Sequence, residues 1–158
     1  MHGFDEEAFF AAIATSGARA MLIGRRALVA LGIPVLTADY DLWLHFDDVE
    51  KLNLAMASLD HYPSHEPAEA RARGRYVFEN DEHVDVMIAR SATTKRGAML
   101  TFDEAWARHQ TVAYGASVQI AVPSIADLIL TKEWAMRTKD VTDIQLLEAL
   151  RTKLGDAP

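Results

Sequence analysis

Apolar residues recur along this chain with two different periods, and the switches between them divide it into elements. Residues 5–18 place Phe9, Ala12 and Ile13 at helical spacing behind Asp5, Glu6 and Glu7, three acids suited to the positive end of a helix dipole, and Gly17 ends the run. Ala20-Met21-Leu22-Ile23 then forms a short apolar run closed by Gly24, after which Ala27, Leu28 and Leu31 recur at helical spacing up to Gly32. That order predicts strand, tight turn, helix. Pro34 and Thr37 carry an extended connection into residues 39–44, where Leu42 and Leu44 share one face while Asp39, Asp41 and Trp43 share the other. Asp47 and Asp48 predict the cap and first turn of a helix over residues 49–59, with Leu52, Met56 and Leu59 as its buried stripe.

Residues 61–74 combine Pro, His, Ala and Arg with little periodicity, which predicts a mobile loop. Two strands follow, at residues 76–78 and 84–88, around a turn at Asn80-Asp81-Glu82. Val84, Val86 and Ile88 share a face, so Asp85 points to the opposite one. Beyond a polar stretch at 91–101, the pattern predicts a short helix at 102–109 and a hairpin over 111–121 turning near Gly115. Ser124 and Asp127 are spaced as a capping pair for a helix over residues 125–138 with Leu128, Ile129 and Trp134 apolar. A last helix, about 140–152, carries Ile144, Leu147 and Leu150 on one face.

With 158 residues, half of them hydrophobic, the chain has room for one ordinary core, and we expect a single domain over residues 1–158 of α/β (α+β) class. It contains no cysteine, which excludes disulfides, a thiol nucleophile and thiolate metal sites. A net charge of -7 removes a whole-surface footprint for duplex DNA but leaves room for a local basic cleft. No run approaches the roughly 18 apolar residues that cross a bilayer. The N-terminus opens acidic where a secretory signal opens basic, so no membrane association and a cytoplasmic location are expected.

The chemistry sits in three carboxylates. Asp39 and Asp41 lie two apart on one strand and Asp85 on a later one; neighbouring strands would bring their oxygens into a site of the hard kind that Mg²⁺ prefers. Like charges held close in a cleft repel strongly, so such a cluster persists when a cation or a catalytic task compensates it. Metals bound there serve in-line phosphoryl or nucleotidyl displacement. Upstream, the turn at Gly24 opens a helix, an arrangement that offers backbone N–H groups to phosphate.

The stretches MLIGRRALVALGIPVLTADYDLWL, HVDVMIA and PSIADLILTKEWAMRTKDVTDIQLL resemble the nucleotidyltransferase superfamily, with its DNA polymerase β-like fold, and within it the small bacterial proteins akin to AbiEii and the minimal nucleotidyltransferases. The likeness runs from about residue 21 to residue 150. It rests on a glycine turn before a helix, a T-x-D-x-D strand, a later third Asp, and a helical K-x₄-R-x₂-D pattern, in that order. It implies a short mixed sheet flanked by helices, with further helices at the C-terminus. Asp39 and Asp41 would be the metal pair, and Asp85 the third carboxylate, as ligand or as base toward the acceptor hydroxyl. Gly24 would open the phosphate turn, Lys132 approach the triphosphate, Thr37 support a carboxylate, and Arg137 and Asp140 buttress the last helices.

The implied activity is Mg²⁺-dependent transfer of a nucleoside monophosphate from an NTP such as ATP to a hydroxyl on RNA, including tRNA, or on protein. One departure stands out: Arg25, followed by Arg26, occupies the place after the turn glycine where the family carries Gly or Ser. Either an arginine adds positive charge for the triphosphate, or the turn is altered. The second case describes a binding or regulatory protein of the same fold, for example in a toxin–antitoxin or phage-defence pair.

Other chemistries find less support. The six histidines, His2, His45, His61, His65, His83 and His109, show no zinc-hydrolase spacing, and Pro63 separates His61 from His65. A phosphohydrolase with Asp39 as nucleophile is disfavoured by Trp43. Arg71, Arg73 and Arg75 are candidates to meet a polyanionic acceptor.

Overall fold

Acidic capping opens the fold as the sequence predicts: Asp5 accepts a 3.0 Å hydrogen bond from the Ala8 N–H, and Glu6 and Glu7 fill the first turn of helix α1 (Glu6–Thr15). In this computed structural model, which describes residues 4–79, 82–88, 92–93, 99–133 and 138–155, strand β1 (Ala20–Ile23) then runs into helix α2 (Gly24–Ala30). Strand β2 (Tyr40–Leu44) leads through a 3₁₀ turn at Phe46–Asp48 to helix α3 (Val49–Ala57). Helix α4 (Pro67–Arg73) precedes strands β3 (Arg75–Glu79) and β4 (His83–Ile88). The short pair β5 (Ala92–Thr93) and β6 (Met99–Leu100) leads to helix α5 (Phe102–Arg108). The hairpin of β7 (Gln110–Tyr114) and β8 (Val118–Val122) then precedes helices α6 (Ile125–Glu133) and α7 (Thr138–Lys153).

Four strands form the central sheet in the order β1-β2-β4-β3, with β2 and β4 parallel and the other two pairs antiparallel. The mixed α/β class expected from the sequence is therefore observed. One face of this sheet is sealed: Leu22, Tyr40, Leu42, Leu44, Tyr76, Phe78, Val84, Val86 and Ile88 are all buried, together with Phe9 and Phe10 of α1 and Leu52 and Met56 of α3. The other face opens progressively from β1 toward β3. At its covered end Trp43 is 1% exposed and packs edge-on against Phe102 at 5.1 Å, so the strand position that shares Asp41's face is closed one step beyond it.

Two expectations are corrected. Residues 61–74 are not all loop: Pro67 at the first helical turn and Gly74 in left-handed conformation, φ 77°, bracket α4. Pro supplies a preset φ and needs no N–H there, and Gly tolerates the positive φ, so those two residues outweigh weak amphipathicity in a helix of two turns. Asp48 stands at the N-cap position of α3 without capping it; its carboxylate is buried and accepts from the Arg19 backbone N–H at 2.7 Å and from Arg19 Nε at 2.8 Å. The Arg19 side-chain bond is the strongest influence, and together with the backbone bond and the nearby positive charges it outweighs the opposing effect of burial and holds the Asp48 carboxyl below the usual range. His2, Asn80 and Asp81 of the predicted turn, Trp134 and Arg137 lie outside the described residues, as does most of the 91–101 stretch. Among the described residues no helix is long and apolar enough to cross a membrane.

Candidate active site

Two of the three carboxylates are strand neighbours. Asp41 on β2 is in register with Asp85 on β4 across the parallel pair, and with Ile23, the last residue of β1, across the antiparallel one. The residue after Ile23 is Gly24, with φ 70°, and its backbone lies directly over Asp41. A methyl group added there would stand 3.1 Å from both Cβ and Cγ of Asp41 and closer still to Oδ2. Glycine is therefore required twice, by its left-handed conformation and by the approach of the turn to the carboxylate.

Asp39 is exposed, one residue before β2 begins. Its N–H donates to Thr37 Oγ1 at 3.2 Å, which places the Thr37 hydroxyl in support of this segment. The segment is also held from α2. Arg25 Nη1 donates to the Leu36 carbonyl at 3.1 Å; Arg26 donates to the Thr37 carbonyl at 3.1 Å and, through Nε, to that of Asp39 at 3.4 Å. The Arg26 guanidinium also lies 4.2 Å above the Tyr40 ring and 3.6 Å from Glu6, which accepts hydrogen bonds from the hydroxyls of Tyr40 and Tyr114. The Glu6 contact first, with burial and the nearby acids adding to it, pushes the Tyr114 hydroxyl up to about 12.

Arg25 and Lys132, expected near the triphosphate, meet each other's partner instead. Arg25 forks onto Asp143, Nε to Oδ2 at 3.2 Å and Nη2 to Oδ1 at 3.1 Å, while Lys132 Nζ donates to Asp143 Oδ2 at 3.0 Å with Asp140 at 4.0 Å. Asp143 is fully buried, Asp140 1% exposed and Lys132 6% exposed. Burial opposes the Asp143 charge, but the hydrogen bonds from Arg25 and Lys132 outweigh it and hold that carboxyl below its usual range. Asp140 and Asp143 of α7 thus both face Lys132 of α6, Asp143 being a member that sequence reading missed, while Arg137, the other half of the implied Arg137–Asp140 buttress, lies outside the described residues. The signal was present: Asp140 and Asp143 occupy the same helical stripe as Leu147, where a carboxylate is buried only with a partner.

Asp85, 17% exposed in its side chain, accepts from Arg75 through Nε at 3.1 Å and through Nη2, and pairs with His83 Nε2 at 3.0 Å. Burial pulls the His83 imidazole down, but the Asp85 charge and the hydrogen bonds to Asp85 and Glu79 prevail and raise it. Arg71 is committed elsewhere, to Glu50 and the Phe46 carbonyl. Beside Arg75, past the sheet edge at β3, lies a cavity of about 430 Å³ lined by Ser64, His65, Arg73, Arg75, Tyr76 and Val77. A second cavity, about 240 Å³, sits behind the sheet between Phe10, Leu42, Trp106 and Ile120 and touches none of the three carboxylates. His45 packs on Phe102 and faces Asp103 at 3.4 Å, and His61 is buried against Phe4.

Among the described residues no three His, Asp or Glu side chains are gathered into a ready-made metal shell. The donor chemistry nonetheless fits Mg²⁺: carboxylate oxygens on adjacent strands, with the Gly24 backbone packed so close to Asp41 that any side chain there would collide with its carboxylate.

No protein-family model and no curated protein matches the chain. Solved structures do. The antibiotic-resistance factor ANT(2'')-Ia, in complex with adenylyl-2''-tobramycin, is 18% identical and superposes with a TM-score of 0.63 over 94% of this chain and 86% of its own. The lincosamide antibiotic adenylyltransferase LnuA, lincomycin-bound, gives 14% identity and a TM-score of 0.60 over 93% and 98%. This is the nucleotidyltransferase fold. A Thermotoga maritima protein assigned as a nucleotidyltransferase shares it along almost the entire length, 98% of this chain and 97% of that one, at 13% identity and a TM-score of 0.58. Identities this low carry the fold, and within the fold the parallel β2–β4 pair brings two of its three sequence-selected aspartates side by side.

Proposed function

We propose that this chain is a metal-dependent nucleotidyltransferase, moving a nucleoside monophosphate from an NTP to an acceptor hydroxyl with release of pyrophosphate. The observation that carries the reading is the glycine turn packed on Asp41 with Asp85 in register beside it: a backbone turn lying directly against paired carboxylates on adjacent strands. Asp39, Asp41 and Asp85 are the residues to hold Mg²⁺, which when bound neutralises phosphate charge and polarises the α-phosphorus. Asp85, which accepts hydrogen bonds from Arg75 and pairs with His83, is the third carboxylate, as ligand or as the group to take the acceptor's proton. Arg26 and Thr37 hold the backbone around Asp39. Arg25 and Lys132 serve the site through Asp143, fixing the start of α2 and helix α6 to α7.

The test is binding of Mn²⁺·ATP and the other three NTPs, followed by transfer of α-phosphate label, in wild type and in Asp41→Asn. Metal-nucleotide affinity at least about 100-fold weaker in the variant, at unchanged thermal stability, supports the reading; equal affinity refutes it.

A second reading, a non-catalytic binding or regulatory member of the fold, is favoured by one observation: Arg25, Lys132 and Arg75 are all already bonded to carboxylates. Nucleotide affinity without label transfer to any RNA, protein or small hydroxyl acceptor distinguishes it.

A further inference from the structure

The order of strands in the sheet sets the direction of the reaction. In an in-line displacement the attacking and leaving oxygens stand on opposite sides of phosphorus. If pyrophosphate leaves toward the Gly24 turn, at the β1 side of Asp41, the acceptor approaches from the other side, across Asp85 toward β3. That side is where the 430 Å³ cavity lies, and its lining of Ser64, His65, Arg73, Arg75, Tyr76 and Val77 contains no acid.

The cavity has a defined frame. Ser64 pairs with the outer edge of β3, its N–H donating to the Val77 carbonyl at 2.9 Å and its hydroxyl accepting from the Val77 N–H at 3.1 Å, and the same hydroxyl lies 2.8 Å from His65 Nδ1. Val77 is in register with Asp85, and Arg75, on the same sheet face, is both a wall of the cavity and a donor to Asp85.

We infer that this cavity is the acceptor site, and that the acceptor is a small hydroxyl compound carrying an anionic group such as phosphate. The inference rests on the transferase reading above and names the substrate class of that same site. Arg73 and Arg75 are more than half exposed, and among the described residues Glu69 offsets the first and Asp85 the second. An anion that takes the Arg75 guanidinium draws it from Asp85, leaving that carboxylate to receive the proton of the incoming hydroxyl. The hydroxyl oxygen then bonds to the α-phosphorus, the bond from that phosphorus to the α–β bridging oxygen breaks, and pyrophosphate departs with the electron pair. A polyamine such as tobramycin, whose adenylyl derivative is bound by ANT(2'')-Ia, would meet like charge here.

The experiment is a ¹⁵N–¹H correlation titration of the full chain, without nucleotide or metal, against ribose 5-phosphate, inorganic phosphate, ribose and tobramycin. Ribose 5-phosphate should shift the amides of residues 64–65 and 73–77, ribose and tobramycin should not, and Arg73→Ala/Arg75→Ala should weaken the response about tenfold or more. The rest of the variant's spectrum, coinciding with wild type, shows that it folds. Neither anion moving those amides, an equal response in the double variant, or tobramycin or ribose binding there as tightly overturns the inference. Because no NTP is present, the two readings fail separately. Binding of Mn²⁺·ATP without ribose 5-phosphate binding removes the acceptor assignment alone, and the reverse keeps the anion site and removes the transferase.

Discussion

Asp143 is where stability and the site's architecture meet, and its removal gives the most demanding prediction. The carboxylate is fully buried and is the acceptor for both Lys132 Nζ, at 3.0 Å, and the Arg25 fork, at 3.1 and 3.2 Å. Asp143→Ala leaves an ammonium that is 6% exposed with Asp140 at 4.0 Å as its remaining ion-pair partner among those described, too far for a short hydrogen bond. Stranding one partner of a buried pair costs about 3–5 kcal/mol. Against a total of about 5–15 kcal/mol that is about a fifth or more of the folding free energy, and for a chain of this length it lowers Tm by roughly 6–20 °C. Arg25→Ala should cost only about 1 kcal/mol, because the Arg25 side chain is 28% exposed and Asp143 keeps Lys132. Urea unfolding of the three proteins measures both. The pH dependence is a second reading of the same group. The folded carboxyl titrates below its unfolded value, so its contribution is complete above about pH 4 and is lost as pH falls through the folded pKa. The acid limb of stability should therefore be steeper in wild type than in Asp143→Ala. A loss below about 1 kcal/mol in Asp143→Ala, or identical acid limbs, refutes the paired buried cluster.

Gly24→Ala should destabilise by about 1–3 kcal/mol from the positive φ alone and abolish Mn²⁺·ATP binding through the collision with Asp41, read by urea unfolding and calorimetry. Arg26→Ala should lower Tm by only a few degrees while raising hydrogen exchange at amides 37–40; unchanged exchange would mean the carbonyl contacts do not hold that segment. Asp48→Ala should cost about 1–3 kcal/mol in chemical denaturation, since the Arg19 backbone N–H loses its acceptor. Trp43→Ala should cost about 3–5 kcal/mol through the cavity it leaves against Phe102.

What could be read in the sequence was whatever a local period or a turn residue encodes. Alternation placed Asp41 and Asp85 on the solvent side of their strands because Leu42, Val84, Val86 and Ile88 must be buried, and Gly24 marked a turn because little else tolerates its conformation. The hairpin at Gly115 and the Ser124 cap, which accepts from the Asp127 N–H at 3.1 Å, follow from the same kind of signal. What escaped were choices settled between distant segments. Whether Asp48 caps its own helix or binds Arg19 depends on the chain folding back across a sequence separation of 29. The Asp127 carboxylate, spaced for a cap, bonds Arg108 at 3.0 Å instead. Helix α4 was missed for a local reason: a seven-residue helix with one buried residue, Ala70, has too little apolar stripe to show a period.

The two arginines after Gly24 show why a residue's charge is not yet its role. A cation next to a phosphate turn suggests phosphate binding, but a guanidinium has five donors in a fixed plane, and an extended backbone with carbonyls in reach satisfies them as well as a phosphate does. Here the carbonyls of Leu36, Thr37 and Asp39 take those donors, and Asp143 and Glu6 offset the charges. Lys132 is offset by Asp143 as well, and Arg75 by Asp85. Each of these four cations therefore already faces a carboxylate before any nucleotide arrives. In the transferase reading the positive charge that a triphosphate requires is then left to the divalent ion, which makes the carboxylates at Asp39, Asp41 and Asp85 the condition for binding and not only for chemistry.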